Sequence, residues 1–356
     1  MPHPAGFPPI LAILAVLLCA GLLASFYQAL FPRPARWPLI GVAFVLGMAI
    51  TAGYAAILPP TSERLVGIED AWSALRAMAL AAGIPEEAVK LVATLIVLAL
   101  FRRGLTPAEA FQAALVVALG FAALENLQYA RALPDAAVPV AFGRGIVASF
   151  VHSMMGMFQG TFLAALVRSR WRRWDLVVIG YAVAALAHSL FDWGLVRPLL
   201  EYFRNQNIRP ETIMQALPIA IPCVLGVIVA SLILFVRQLK ICGREYEAAQ
   251  QAAVFDDAAA QAAVSDDAAS HAWERHLAVR RRWRKIGNIL VIAGVIGVIG
   301  SVVAVVAASR AMQGQPQPTD LSQVTPEQLH ASIVMTVILI FSPMLILFGI
   351  LVRQKQ

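Results

Sequence analysis

The sequence predicts an all-α, polytopic integral membrane helix bundle of about nine transmembrane helices, with the N-terminus outside and the C-terminus cytoplasmic. Three observations carry that reading. Of 356 residues, 60% are hydrophobic and only 14% charged, and the mean hydropathy of +0.73 is far above that of soluble globular chains. The apolar residues fall in blocks of about 20, the length that crosses roughly 30 Å of hydrocarbon as a helix. Proline and basic residues punctuate the blocks, and the basic ones concentrate in alternate loops, as orientation in a bilayer requires.

In chain order, the expected spans are 9–31, 38–58, 84–101, 107–130, 139–167, 176–196, 213–236, 287–309 and 331–352. The first apolar stretch has no basic n-region and is too long for a secretory signal, so it reads as a span. Residues 1–58 thus hold two N-terminal helices. Residues 59–83 form an outer loop with an amphipathic segment at 69–83, read either as an interfacial helix or as an extension of the third span kinked at Pro85. Residues 84–196 form a core of four helices, and 197–236 an outer loop and the seventh helix. The stretch 237–285 is a cytoplasmic, Ala-rich arm with a tandem repeat, QAAVFDDAAA then QAAVSDDAAS, and little glycine or proline to break a helix. It ends in the basic run Arg280 to Lys285, an anchor for anionic membrane lipid. Residues 286–356 close the chain as a transmembrane hairpin.

The formal charge of +7 comes from basic residues at the ends of apolar blocks. It argues for orientation, not for a nucleic-acid partner. Cys19, Cys223 and Cys242 have neither metal spacing nor a disulfide pattern. His271 and His276, five apart in the arm, share no helix face that would hold a metal.

Ionisable groups inside spans are costly and mark function by default. Here they gather in four consecutive helices: Glu86, Glu87 and Lys90 in the third, Glu125 and Asn126 in the fourth, His152 in the fifth, and His188 and Asp192 in the sixth. Glu86 and Lys90 are four apart, the spacing of an internal ion pair, which leaves Glu87 pointing elsewhere. His188 and Asp192 have the same spacing, so the carboxylate can fix the imidazole tautomer. His152 shares a face with Gly156 and Gly160, which admit a close neighbour. Measured from the cytoplasmic end of each helix, Glu87, Glu125, His152 and His188 all lie about 20–28 Å up at 1.5 Å per residue. They therefore level in the outer half of the bilayer although the helices alternate in direction.

In that order, Glu86-Glu87-x-x-Lys90, Phe121-x-x-x-Glu125-Asn126, His152-x-x-x-Gly156-x-x-x-Gly160 and His188-x-x-x-Asp192 resemble the PrsW family of intramembrane proteases. That family is similar to the CAAX-prenyl endopeptidases and the bacteriocin-processing enzymes. The resemblance covers about 84–196 and implies a peptide hydrolase of the cell (plasma) membrane. It also implies a membrane-anchored substrate, such as an anti-sigma factor; the charge pattern and the depth of the residues put the expected cut near the outer face. Glu87 or Glu86 is then the candidate general base, with Lys90 tuning it, while His152, His188 and Asn126 position water or donate to the oxyanion. Alternatively His152, His188 and Glu125 bind a divalent metal such as zinc. Buried Glu, His, Asp and Lys also suit a proton- or ion-coupled transporter, although no inverted repeat accompanies them. Trp171 and Trp174 read as an interfacial belt, Arg144 as a snorkelling anchor, and Met154, Met155 and Met157 as packing.

Overall fold

The computed structural model describes residues 9–57, 71–132, 137–205 and 210–260, which are helical apart from short turns. The helices are α1 (Pro9–Leu30), α2 (Trp37–Ile57), α3 (Ala71–Met78), α4 (Ile84–Leu100), α5 (Pro107–Ala132), α6 (Ala137–Arg168), α7 (Asp175–Asn205) and α8 (Pro210–Ala260). No strand occurs among the described residues. Among the described residues, six helices contain stretches long and apolar enough to cross a membrane, at 12–30, 37–57, 107–131, 144–168, 175–193 and 224–249. The 17-residue α4 occupies the place of the expected third span. The expected spans at 287–309 and 331–352, the second copy of the repeat and the basic run Arg280 to Lys285 lie outside the described residues.

The chain divides into two compact units, Met1–Leu239 and Lys240–Gln356, and the bundle described here belongs to the first. In the second, the described residues continue α8 as a helix to Ala260.

Helices α5 and α6 form the centre. Their spans are 83% and 78% buried, against 22–39% for the other four. Small residues make the close crossings. A Cβ on Gly156 would come within 2.9 Å of the Ala114 carbonyl, and one on Gly160 within 2.9 Å of the Phe111 carbonyl. The glycines on the His152 face thus press α6 onto α5. Gly47 of α2 and Gly120 of α5 do the same for that pair, each meeting a backbone carbonyl of the other helix. Phe235 of α8 packs against Tyr27, Phe31 and Phe111.

One helix end departs from sequence expectation, and the segment before Pro85 follows one of its two expected readings, the extension of the third span. Helix α7 does not stop before Arg197-Pro198 but runs on to Asn205. A proline removes one backbone donor, and a long helix tolerates that where its neighbours continue the pattern. The segment before Pro85 is helical and continuous with α4. It joins through a π-helical turn, Ala79–Gly83, in which the Ile84 N–H donates to the Ala79 carbonyl. Pro85 cannot donate, and its ring crowds the carbonyl four residues back; the widened turn makes room. Gly83 lies directly against Ser189 and the Ala185 carbonyl of α7, so the turn delivers Glu86 and Glu87 into the bundle.

At the opposite end of α5 from Glu125 lies a polar clasp. Thr106 and Glu109 form a capping box: the Glu109 N–H donates to Thr106 Oγ1 at 3.2 Å, and the Thr106 N–H to Glu109 Oε2 at 3.0 Å. Arg36 Nε donates to Glu109 Oε1 at 2.7 Å. The Ala35 N–H donates to Gln28 Oε1 and Gln112 Oε1 at 2.9 and 3.1 Å. The clasp ties the α1–α2 turn to the start of α5. Trp171 and Trp174 have ring centroids 6.1 Å apart, with Arg102 over the Trp171 ring.

Candidate active site

Helices α4, α5, α6 and α7 bring the predicted residues together. Glu86, Glu87 and Lys90 leave the first turns of α4 and are buried, as are His152 and His188; Glu125 and Asp192 are part-exposed. The imidazoles of His152 and His188 lie edge to face, with ring centroids 5.5 Å apart at 89°.

Glu87 is the held carboxylate. Its Oε1 accepts from Lys90 Nζ at 2.6 Å and pairs with His188 Nδ1 at 2.9 Å; its Oε2 accepts from Gln159 Nε2 at 2.9 Å. Three helices therefore fix one side chain. The expected Glu86–Lys90 pair is present at longer range, and Glu87 is not left pointing elsewhere. Lys90 is 3.8 Å from Glu86 Oε2, and its short contact is to Glu87, three residues away. On a helix the i,i+3 neighbour is as accessible as i,i+4, and here His188 and Gln159 add their own pull on Glu87.

Glu86 is left with Oε2 buried and without a hydrogen-bond partner. That atom is 3.9 Å from His188 Nε2, which is itself 3.4 Å from Asp192 Oδ2. A proton on His188 Nδ1, donated to Glu87, leaves Nε2 as a lone pair facing two carboxylates. Such a grouping calls for a proton, a water or a cation between its members. The expected His188–Asp192 pair is thus present at longer range, while Glu87 makes the closer contact to the ring.

His152 is engaged on both sides. Nδ1 is 3.0 Å from Lys90 Nζ, and Nε2 is 2.9 Å from Glu125 Oε2. Since Lys90 has only protons to give, Nδ1 accepts and the Nε2 proton goes to Glu125. Phe121 lies under this contact, with Lys90 Nζ 4.3 Å from the ring centroid and the His152 ring 5.3 Å away.

Asn126 takes no direct part in this chain of contacts. Its Nδ2 donates to the Arg144 carbonyl at 3.2 Å and to Ser149 Oγ at 3.3 Å. Arg144 is more than a lipid-facing anchor. It pairs with Glu125 Oε2 at 3.2 Å and stacks on Tyr129 at 3.7 Å. Gln159, which sequence reasoning missed, is seven residues beyond His152 and so on the same face of α6; that spacing was its one signal. Tyr27 of α1 also reaches the neighbourhood, bonding Ser153 at 2.9 Å.

Four buried side-chain atoms lack a hydrogen-bond partner among the described residues: Glu86 Oε2, Asn126 Oδ1, Arg144 Nε and Trp193 Nε1. All four belong to the helices that build this site. Glu86, His152 and His188 present donor atoms within 4.8 Å of one another, a set able to hold a metal ion. Glu125, expected as the carboxylate of that set, is instead drawn to Arg144 and to Nε2 of His152.

The fold and site define a class: a multi-pass membrane protein with a buried carboxylate–imidazole centre where four helices meet. The model of the PrsW family of intramembrane metalloproteases matches residues 35–238, more than half of the chain, and the chain belongs to that family. It is therefore an intramembrane protease, a hydrolase of peptide bonds. No curated protein and no solved structure matches it.

Proposed function

We propose that the protein cleaves a membrane-anchored protein near the outer face of the membrane, with Glu86 as the carboxylate that activates water. The observation that carries this reading is the contrast within the Glu86-Glu87 pair. Glu87 is saturated by Lys90, His188 and Gln159, whereas Glu86 Oε2 has no hydrogen-bond partner. A carboxylate that must take a proton cannot have its lone pairs committed.

The steps follow from these contacts. Glu87 orients His188 so that Nε2 faces Glu86. One water can bridge the 3.9 Å between Glu86 Oε2 and His188 Nε2 through two ordinary hydrogen bonds. As its oxygen bonds to the scissile carbonyl carbon, Glu86 takes the proton. Lys90, which has a third N–H beyond those directed at Glu87 and His152, stabilises the oxyanion. Glu86 returns the proton to the amide nitrogen as the C–N bond breaks. The donor set also fits the metal that the family description implies, since it offers two imidazoles and an unbonded carboxylate oxygen, all buried. Held by Glu86, His152 and His188, a divalent ion such as zinc would supply Lewis acidity toward the carbonyl and a more acidic water.

The charge pattern of the sequence supports the sidedness. With nine spans and basic alternate loops, the positive-inside rule has the N-terminus outside, the C-terminus in the cytoplasm and the site in the outer half of a plasma membrane. A single-pass substrate is reached most easily where its helix unwinds or leaves the bilayer, because an intact helix shields its peptide bonds. A regulator of the anti-sigma type fits the family resemblance. Ion transport is disfavoured because no buried charged side chain lies between the site and the clasp among the described residues.

The test is reconstitution in nanodiscs with single-span peptides, with and without chelator. Cleavage at the outer boundary, lost in Glu86→Gln, is the expected result; intact peptide under every condition overturns the proposal. Single cysteines in a Cys-free background should label from outside at Ala136 and Asn205 and not at Ser169; the reverse pattern inverts the topology.

A further inference from the structure

We propose that the Lys90 ammonium and a divalent ion are alternative occupants of the Glu86–His152–His188 donor set, so that metal binding requires Lys90 to be displaced. The proposal rests on the site described above, but its test reads metal and not cleavage.

Lys90 reaches two of the three members of that set, His152 and Glu86, and pairs with the neighbouring Glu87. Its Nζ is 3.0 Å from His152 Nδ1, 3.8 Å from Glu86 Oε2 and 2.6 Å from Glu87 Oε1. The residue is buried, and its charge rests on the face of Phe121 at 4.3 Å. A tethered cation therefore already meets the two demands that a metal would meet. It neutralises the carboxylates, and it caps an imidazole lone pair.

Two facts make joint occupancy unfavourable. A nitrogen has one lone pair, and Lys90 holds that of His152 Nδ1. The other nitrogen of His152 is committed to Glu125, whose Oε2 is shared with Arg144. Freeing that side would leave Glu125 with one fewer donor while Lys90 kept its place. Charge repulsion adds to this. An ammonium within about 4 Å of a dication in a dry bundle is strongly repelled. The local contacts that hold Lys90 are also those that keep Glu86, Glu87 and the two imidazoles assembled when no metal is bound. Lys90 thus makes the site preorganised, and it weakens metal affinity.

This gives an ordering of variants that a purely structural lysine would not. Lys90→Met removes the charge and the hydrogen bonds. Lys90→Gln removes the charge and keeps a donor for Glu87. Both are expected to bind metal more tightly than the parent. Lys90→Arg keeps a cation and should not. If Lys90 were itself needed to build the metal site, both neutral variants would bind more weakly.

The experiment is cobalt(II) titration of the full-length protein in nanodiscs, followed by visible absorption, with thermal unfolding as a check that each variant is folded. The expected result is binding about tenfold or more tighter in Lys90→Gln and Lys90→Met, and within about threefold of the parent in Lys90→Arg, as removal of one nearby positive charge requires. Should Lys90→Met fail to fold, Lys90→Gln decides the matter alone. Equal or weaker cobalt binding in the folded neutral variants overturns the proposal, as does the absence of binding in all of them. Cleavage by the parent protein stands or falls separately.

Discussion

Helix α5 carries a buried polar cluster near each end, and the two are built on opposite principles. At one end Glu109 has every oxygen engaged: by the Thr106 and Arg36 backbone and side chains, with Gln28 and Gln112 closing the loop above. Sixteen residues on, about 24 Å along the helix, Glu125 joins the cluster of His152, Lys90 and the two glutamates of α4. There, donors and acceptors are left over, and carboxylates outnumber the cations that face them. Buried polar groups are normally satisfied, and an exception calls for an explanation. The clasp closes on itself and holds helices together. The site closes only when something else enters it.

That difference makes separable predictions. The largest effect is expected from Glu86→Gln, which removes the carboxylate and adds no unpaired charge: cleavage of a reconstituted single-span peptide should fall about 10²–10⁴-fold with little loss of thermal stability. Glu87→Ala should damage both properties. It strands Lys90, His188 and Gln159 at once, and removing one partner of a buried charge pair costs about 3–5 kcal/mol, readable as a lowered Tm alongside lost cleavage. Gln159→Leu leaves Lys90 and His188 in place on Glu87. It should lower kcat by about 10–100-fold, the range for groups that support a reacting side chain, with KM little changed. At the clasp, Thr106→Ala should cost about 1 kcal/mol through the lost cap and leave kcat/KM intact. The smallest change in turnover among the site variants is expected from Asp192→Asn. Glu87 already orients His188 from the other nitrogen, so turnover should drop only a few fold; a loss as large as that of Glu86→Gln would make Asp192 the orienting carboxylate instead.

The site is legible in the sequence where spacing alone decides proximity. Four motifs at one depth in consecutive helices predict that Glu86, Glu87, Glu125, His152 and His188 converge, and in the structure they do. Spacing cannot decide which carboxylate Lys90 prefers, because both lie within its reach. The preference is set by His188 and Gln159, which arrive from other helices. Arg144 reads as an anchor from its place near a helix end; only the arrangement of α5 against α6 gives it Glu125. The segment 69–83 illustrates the same limit. Its amphipathic pattern fits a surface helix or a helical extension equally well, and the π-helical turn that joins it to α4 leaves no mark in periodicity. Arg197-Pro198 reads as a boundary because proline usually is one, yet α7 continues beyond it.

The central claim is that Glu86 performs chemistry and the clasp does not. It is tested most directly by measuring cleavage rate and Tm together, in the same nanodiscs, for the parent, Glu86→Gln and Thr106→Ala. Glu86→Gln is expected to abolish cleavage at nearly unchanged Tm, while Thr106→Ala lowers Tm and cleaves at the parental rate. Cleavage that survives in Glu86→Gln, or activity and Tm that fall in parallel in both variants, would contradict that claim.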